Sequence, residues 1–133
     1  VDPVSLRRAV NLACQARVIM IVDDCENVKN LAAMARQYGT IVDVLVDLDV
    51  GQGRCGSRSL EKLEQVAREV VNQKGLRLRG VFGYVGDFEL QTDREERTRK
   101  GREATGLLVR AAKLRSSAVP GPARMTLRRS LPK

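Results

Sequence analysis

The chain has 133 residues, 43% of them apolar, and 24 Lys and Arg against 16 Asp and Glu give it a net charge of +8. That length holds one modest domain and not two, and the apolar share excludes a disordered chain. No run approaches the ~20 apolar residues of a membrane span, and no charged segment leads into an apolar one as an export signal would.

The predicted elements alternate. Asp2-Pro3 opens a first helix, with proline where its missing N–H does no harm, and Leu6, Ala9, Val10 and Ala13 give it one apolar face to about Arg17. Val18–Val22 is a continuous apolar run, expected as a strand buried on both faces. Asp23 or Asp24 caps the next helix, whose inner stripe is Val28, Leu31, Ala32, Ala35 and Tyr38 and which Gly39 closes. A second strand runs from Ile41 to Asp49 and breaks into the loop 50–58. Ser59 caps a third helix with the stripe Leu60, Leu63, Val66, Ala67, Val70 and Val71, ended by Gly75. A third strand spans about Leu76 to Tyr84. Thr92 to Glu95 has a capping-box spacing, and a long fourth helix turns Ala104, Leu107, Leu108 and Ala111 inward.

Helices alternating with apolar strands imply an α/β fold, with about three parallel strands and four helices joined by crossovers. In such folds the strand C-terminal ends gather on one edge, where ligands bind. The polar residues placed there are Asp23, Asp24, Asp47, Asp49, Arg54, Tyr84 and Asp87. From Ser116 the texture changes: two prolines fall in three residues and no period continues. Residues 1–115 are therefore expected to form the domain and 116–133 a basic, disordered tail. That tail carries four cations and no acid, half of the net charge. The remaining charge forms no stripe with stacking aromatics, so no nucleic-acid partner is expected.

Histidine is absent, which removes the commonest general base and metal ligand. Cysteines 14, 25 and 55 form no C-x-x-C and suit a reducing cytoplasm. The glycines 51, 53 and 56 follow a buried strand, as a phosphate cradle of backbone N–H groups would. The spacing is neither a dinucleotide fingerprint nor a P-loop. From the residues alone, a plain βα turn and a binding loop both stand.

The segment VDLDVGQGRCG, residues 46–56, resembles the V-(E/D)-(I/L)-D-x-G-x-x-R-x-G strand of one enzyme branch. That branch is the D-threonine aldolase and D-serine dehydratase group of the alanine racemase-like, pyridoxal-phosphate-dependent enzymes. IVDDCENVKNLAAMAR and LRLRGVFGYVGDFELQ are similar to two further segments of the family, so the resemblance covers most of residues 1–115 in order. It implies part of a TIM-type (β/α)8 barrel, from an internal fragment of a lyase that cleaves D-3-hydroxy amino acids to glycine and an aldehyde. A dehydratase or racemase of the same fold, or a non-catalytic anion-binding module, are the alternatives. The resemblance implies that Arg54 lies beside the pyridoxal ring and that Tyr84 contacts it, with Asp47 and Asp49 orienting Arg54 or capping the loop and Gly51 and Gly53 shaping it.

It also shows gaps. The family's Schiff-base lysine has no counterpart, because lysines 29, 62, 74, 100, 113 and 133 fall on helices, helix ends or the tail. The divalent metal expected of the full-length family finds no ligands here. No residue of this chain is assigned a catalytic role, and the chain alone is expected to be inactive. The implied partner is a small D-amino acid, with a homo-oligomer expected only of the full-length protein.

Overall fold

The computed structural model describes residues 2–86, 92–118 and 124–128, with side chains described through Lys113. In chain order the elements are α1 (Pro3–Ala13), β1 (Ile19–Val22), α2 (Cys25–Gln37), β2 (Val42–Asp47), α3 (Leu60–Asn72), β3 (Leu76–Tyr84), α4 (Arg94–Ala118) and β4 (Arg124–Arg128). The expected alternation is present, with its three parallel strands and four helices. The strands pair in the sequential order β1-β2-β3-β4, all parallel.

Side-chain caps set the helix starts. Asp2 accepts from the Val4 and Ser5 N–H groups, Asp24 from those of Glu26 and Asn27, and Ser59 from that of Lys62. At α4 the cap is Asp93, which accepts from the Glu95 N–H, and not Thr92 as the capping-box spacing suggests. The first helix stops at Ala13, short of Arg17. Gly39 at φ +62° and Gly75 at φ +93° turn the chain out of α2 and α3.

One hydrophobic core joins the helices to one face of the sheet. Val42, Val44 and Val46 of β2 are fully buried there, against Leu31 and Val28 of α2, Leu63, Val66 and Val70 of α3, and Leu108 of α4. Sequential strand order with the helices on one face is a barrel arc; a doubly wound sheet reverses its order at a switch point. Among the described residues no helix layer covers the second face of the sheet, although β2 is buried along its whole length. Ile19 and Ile21 on that face are 44% and 47% exposed, so β1 is buried on one face only and not on both as its apolar run predicts. Val71 and Tyr38, placed in inner stripes by their spacing, also lie at the surface. Each sits at the last turn of its helix, where the stripe rotates off the sheet.

Two features depart from the sequence reading. The expected tail from Ser116 contains structure: α4 runs on to Ala118, and β4 pairs in parallel with β3 from Gly80↔Arg124 to Tyr84↔Arg128. A five-residue strand with two apolar positions between arginines is too short to show a period. Residues 119–123 and 129–133 of that segment lie outside the described residues, as does Asp87. The second feature is a β-bulge. Val44 pairs with Leu78 but Leu45 pairs with Gly80, which makes Arg79 an extra residue in β3.

Candidate active site

The bulge decides which side chains reach the site. Leu78 faces the helices, and unbroken alternation from there would send Tyr84 to the helices too. With Arg79 looped out, Val81 enters the core and Gly83 lies under Leu108, where an added Cβ would sit 2.9 Å from its Cδ2. Phe82, opposite Asp47, and Tyr84 therefore stand on the open face.

The loop after β2 is an excursion that returns to the strand it left. The Ser57 N–H donates to the Asp47 carbonyl (2.9 Å) and the Asp49 N–H to the Ser57 carbonyl (3.0 Å), while the Leu48 N–H donates to the Phe82 carbonyl (2.9 Å). Inside the excursion, Asp49 Oδ1 accepts from the N–H groups of both Gly51 and Gly53, each at 3.0 Å. Asp23 Oδ2, at the end of β1, accepts from the Gly56 N–H at 3.0 Å. The Cys55 side chain lies near the Asp47 carboxyl and favours its ionised form. Gly56 has φ +95°, and a Cβ there would lie 2.6 Å from the Asp49 nitrogen, so backbone packs where any side chain would begin.

These bonds correct the cradle reading. A phosphate cradle needs free N–H groups, and those of Gly51, Gly53 and Gly56 are each taken by a carboxylate of the chain itself. What the loop presents is Arg54. Its side chain is exposed, has no carboxylate partner among the described residues, and places Cζ 5.9 Å from the centroid of the Tyr84 ring, within cation–π range. Gly86 leaves room for that ring, since an added Cβ would fall 2.9 Å from Tyr84 Cε1 and 3.0 Å from Gln52 Nε2.

The two carboxyls at the end of β2 have opposite electrostatics. Burial pushes Asp47 above the usual carboxylate range; the nearby Cys55 side chain opposes this, and the charges of Asp23 and Asp49 add to it. Asp49 is held below that range, chiefly by the Gly53 N–H and then by those of Gly51 and Gln52.

Of the residues singled out in the sequence, Arg54 and Tyr84 meet, Asp49, Gly51 and Gly53 form the loop's inner bonds, and Asp47 lies buried beside Cys55. Neither aspartate bonds Arg54 among the described residues. Lys29, Lys62, Lys100 and Lys113 lie on helices and Lys74 just after α3, none of them on a strand; Lys133 is outside the described residues. Among the described residues no group of three His, Cys, Asp or Glu is placed to hold a metal ion.

Sequence reasoning missed Asp23 as a loop anchor, since a strand-end aspartate also fits a helix cap and Asp24 takes that role. It also missed a cluster at the other end of the open face. Buried Asp43 there receives Arg77 Nε at 2.6 Å, with Arg79 Nε at 3.6 Å and Arg17 Nε at 3.7 Å. The alternation of Asp43 with Val42 and Val44 was its available signal.

Comparison with known proteins gives this arc a family. Residues 4–120 match the alanine racemase N-terminal domain. The chain belongs to that family. Among curated relatives of this alanine racemase-type chain, a D-threonine aldolase of Arthrobacter sp. is 32% identical over 114 residues. The match takes in 86% of this chain and 30% of the relative. A 3-hydroxy-D-aspartate aldolase of Paracoccus denitrificans is 30% identical over 100 residues, covering 74% of this chain and 26% of the relative. Among solved structures, the D-threonine aldolase of Filomicrobium marinum superposes with a TM-score of 0.84 at 26% identity, over 88% of this chain and 32% of its own. The D-threo-3-hydroxyaspartate dehydratase of Delftia sp. HT23 shares the fold, with a TM-score of 0.80 at 23% identity over 90% of this chain and 32% of its own. The chain thus spans about a third of the length of these proteins.

Proposed function

We propose that the chain is the cofactor-facing arc of a pyridoxal-phosphate-dependent lyase that cleaves D-3-hydroxy amino acids to glycine and an aldehyde. The observation that carries the reading is the Arg54 guanidinium over the Tyr84 ring at the strand C-terminal edge, on a loop whose backbone donors are already satisfied. The named activities of the two aldolase relatives supply the substrate class. Three free cysteines suit a cytoplasmic protein, and no described helix is long and apolar enough to cross a membrane.

The residues present fit such a cofactor. A flat aromatic ring with an anionic oxygen matches an exposed cation beside an aromatic side chain. When bound, pyridoxal phosphate supplies an electron sink for bonds at Cα. Arg54 would hold the ring's anionic oxygen by charge-assisted hydrogen bonds, and Tyr84 would form a flat wall of the pocket. Asp49 fixes the loop that aims Arg54. Burial, with the charges of Asp23 and Asp49 nearby, raises the pKa of Asp47 at the base of that loop. Among the described residues no group of three His, Cys, Asp or Glu side chains is gathered to hold a divalent metal, so no step is assigned to one.

The decisive experiment titrates pyridoxal phosphate into the protein while following the Arg54 Nε–H resonance. Specific saturable binding, weakened about tenfold in Arg54→Ala, is expected from the loss of one charge-assisted contact. Equal binding by the two proteins would overturn the assignment. With no lysine on a described strand, the chain alone should neither turn over D-threonine nor yield a stoichiometric borohydride-trapped adduct.

A further inference from the structure

Resting on the reading of Arg54 just given, we propose that Asp23 is a positioning residue for the cofactor. It acts through the Gly56 N–H to fix where the Arg54 loop stands relative to the neighbouring strand.

Two carboxylates hold the loop, and they differ in reach. The bonds from Asp49 to Gly51 and Gly53 span two and four residues, so they give the excursion its local shape. The Asp23 bond spans 33 residues and comes from β1. Among these side-chain anchors it alone ties the loop to a different strand, and it grips two residues beyond Arg54.

Its strength follows from chemistry and surroundings. A carboxylate accepting a backbone N–H makes a charge-assisted bond, and this one is part-buried. Gly56 cannot slide to another partner, because its Cα is already packed on the backbone of Leu48 and Asp49, 2.8 and 2.6 Å from where a Cβ would stand. The helix start next to it does not depend on Asp23, since Asp24 caps α2. Losing the Asp23 acceptor therefore leaves the loop its inner bonds and removes its tether to β1. Arg54 would then swing away from the Tyr84 ring, with α2 still capped.

Two substitutions separate acceptor from charge. Asp23→Ala removes both, and Asp23→Asn keeps an oxygen acceptor of nearly the same size. In the cofactor-free protein, Asp23→Ala should shift the Arg54 Nε–H and Tyr84 ring resonances while leaving those of the helix-packed core in place. Asp23→Asn should leave Arg54 near its original position. Binding of pyridoxal phosphate should weaken about tenfold in Asp23→Ala and recover to within about twofold in Asp23→Asn. The double variant Asp23→Ala/Arg54→Ala should bind no more weakly than Arg54→Ala, because a residue that acts through Arg54 has nothing left to position.

An unchanged Arg54 resonance in Asp23→Ala, or additive losses in the double variant, would overturn the proposal. If Arg54 moves in Asp23→Ala but Arg54→Ala binds the cofactor like the parent protein, positioning stands and the cofactor role of Arg54 fails. Should Asp23→Ala not fold, Asp23→Glu keeps the charge and carries the carboxylate one methylene further. It should displace Arg54 in the same assay, and an undisplaced Arg54 would again overturn the proposal.

Discussion

The two faces of β2 carry alternate residues of one strand into unlike surroundings. Val42, Val44 and Val46 lie under α2 and α3 with essentially no exposure, while Asp43, Leu45 and Asp47, buried as well, point to the face that no described helix covers. The covered face holds the arc together by excluding water from aliphatic side chains. The open face is where charges stand: Asp43 among arginines at one end, and Asp47 beneath the Arg54 loop at the other. Changes on the covered face should register as stability alone, and changes at the open-face rim should register at the Arg54 site as well.

Leu63→Ala tests the covered face most severely. Leu63 is 1% exposed in the centre of the α3 stripe, and a cavity there should cost about 3 kcal/mol in urea unfolding. A loss below about 1 kcal/mol would mean that the core collapses around the gap and the division between faces is weaker than drawn. At the rim, Gly56→Ala should cost about 2 kcal/mol, since it forces an L-residue to φ +95° against backbone. Unlike Leu63→Ala, it should also displace the Arg54 resonance.

Next come Asp47 and Asp49, whose pH dependences should run in opposite directions. Asp47 holds its proton to higher pH when folded than when unfolded. The folded state then binds more protons in the window above the ordinary carboxylate range, and stability falls as pH rises through it. Asp47→Asn should remove that fall. Asp49 has the reverse shift: its contribution is complete above the ordinary range and is lost as pH drops through and below it, so Asp49→Asn should flatten the acid limb. Urea unfolding of each variant over about pH 3 to 7 measures both slopes, and like signs would refute the assignment of burial to one and N–H donors to the other. The smallest stability change is expected of Arg54→Ala, within about 0.5 kcal/mol, because the side chain is exposed. A large loss of stability would make Arg54 structural and remove its claim to a ligand.

Much of this was legible in the sequence, for stated reasons. The helix caps at Asp2, Asp24 and Ser59 are written in residue type, and the stripes of α2 and α3 in spacing. The alternation placed Arg54 and Tyr84 at one edge, the resemblance gave them their roles, and the two meet across two elements. What stayed hidden depended on partners distant in sequence. Asp23 could not show that it would bond Gly56, because that bond exists only once β1 lies beside β2. The run Val18–Val22 could not show an exposed face, because apolar alternation is silent about whether a layer covers it. The strand at Arg124–Arg128 is too short to carry a period of its own.

The looped-out Arg79 makes the count of residues in β3 matter more than their identity. Deleting Arg79 would restore regular pairing and leave Tyr84 beside the Arg54 loop, at the loss of one guanidinium near Asp43. Deleting Phe82, three positions further on, would turn Tyr84 toward Leu108 and empty the rim of its aromatic ring. Two single-residue deletions in the same strand should therefore give a cofactor site in one protein and none in the other.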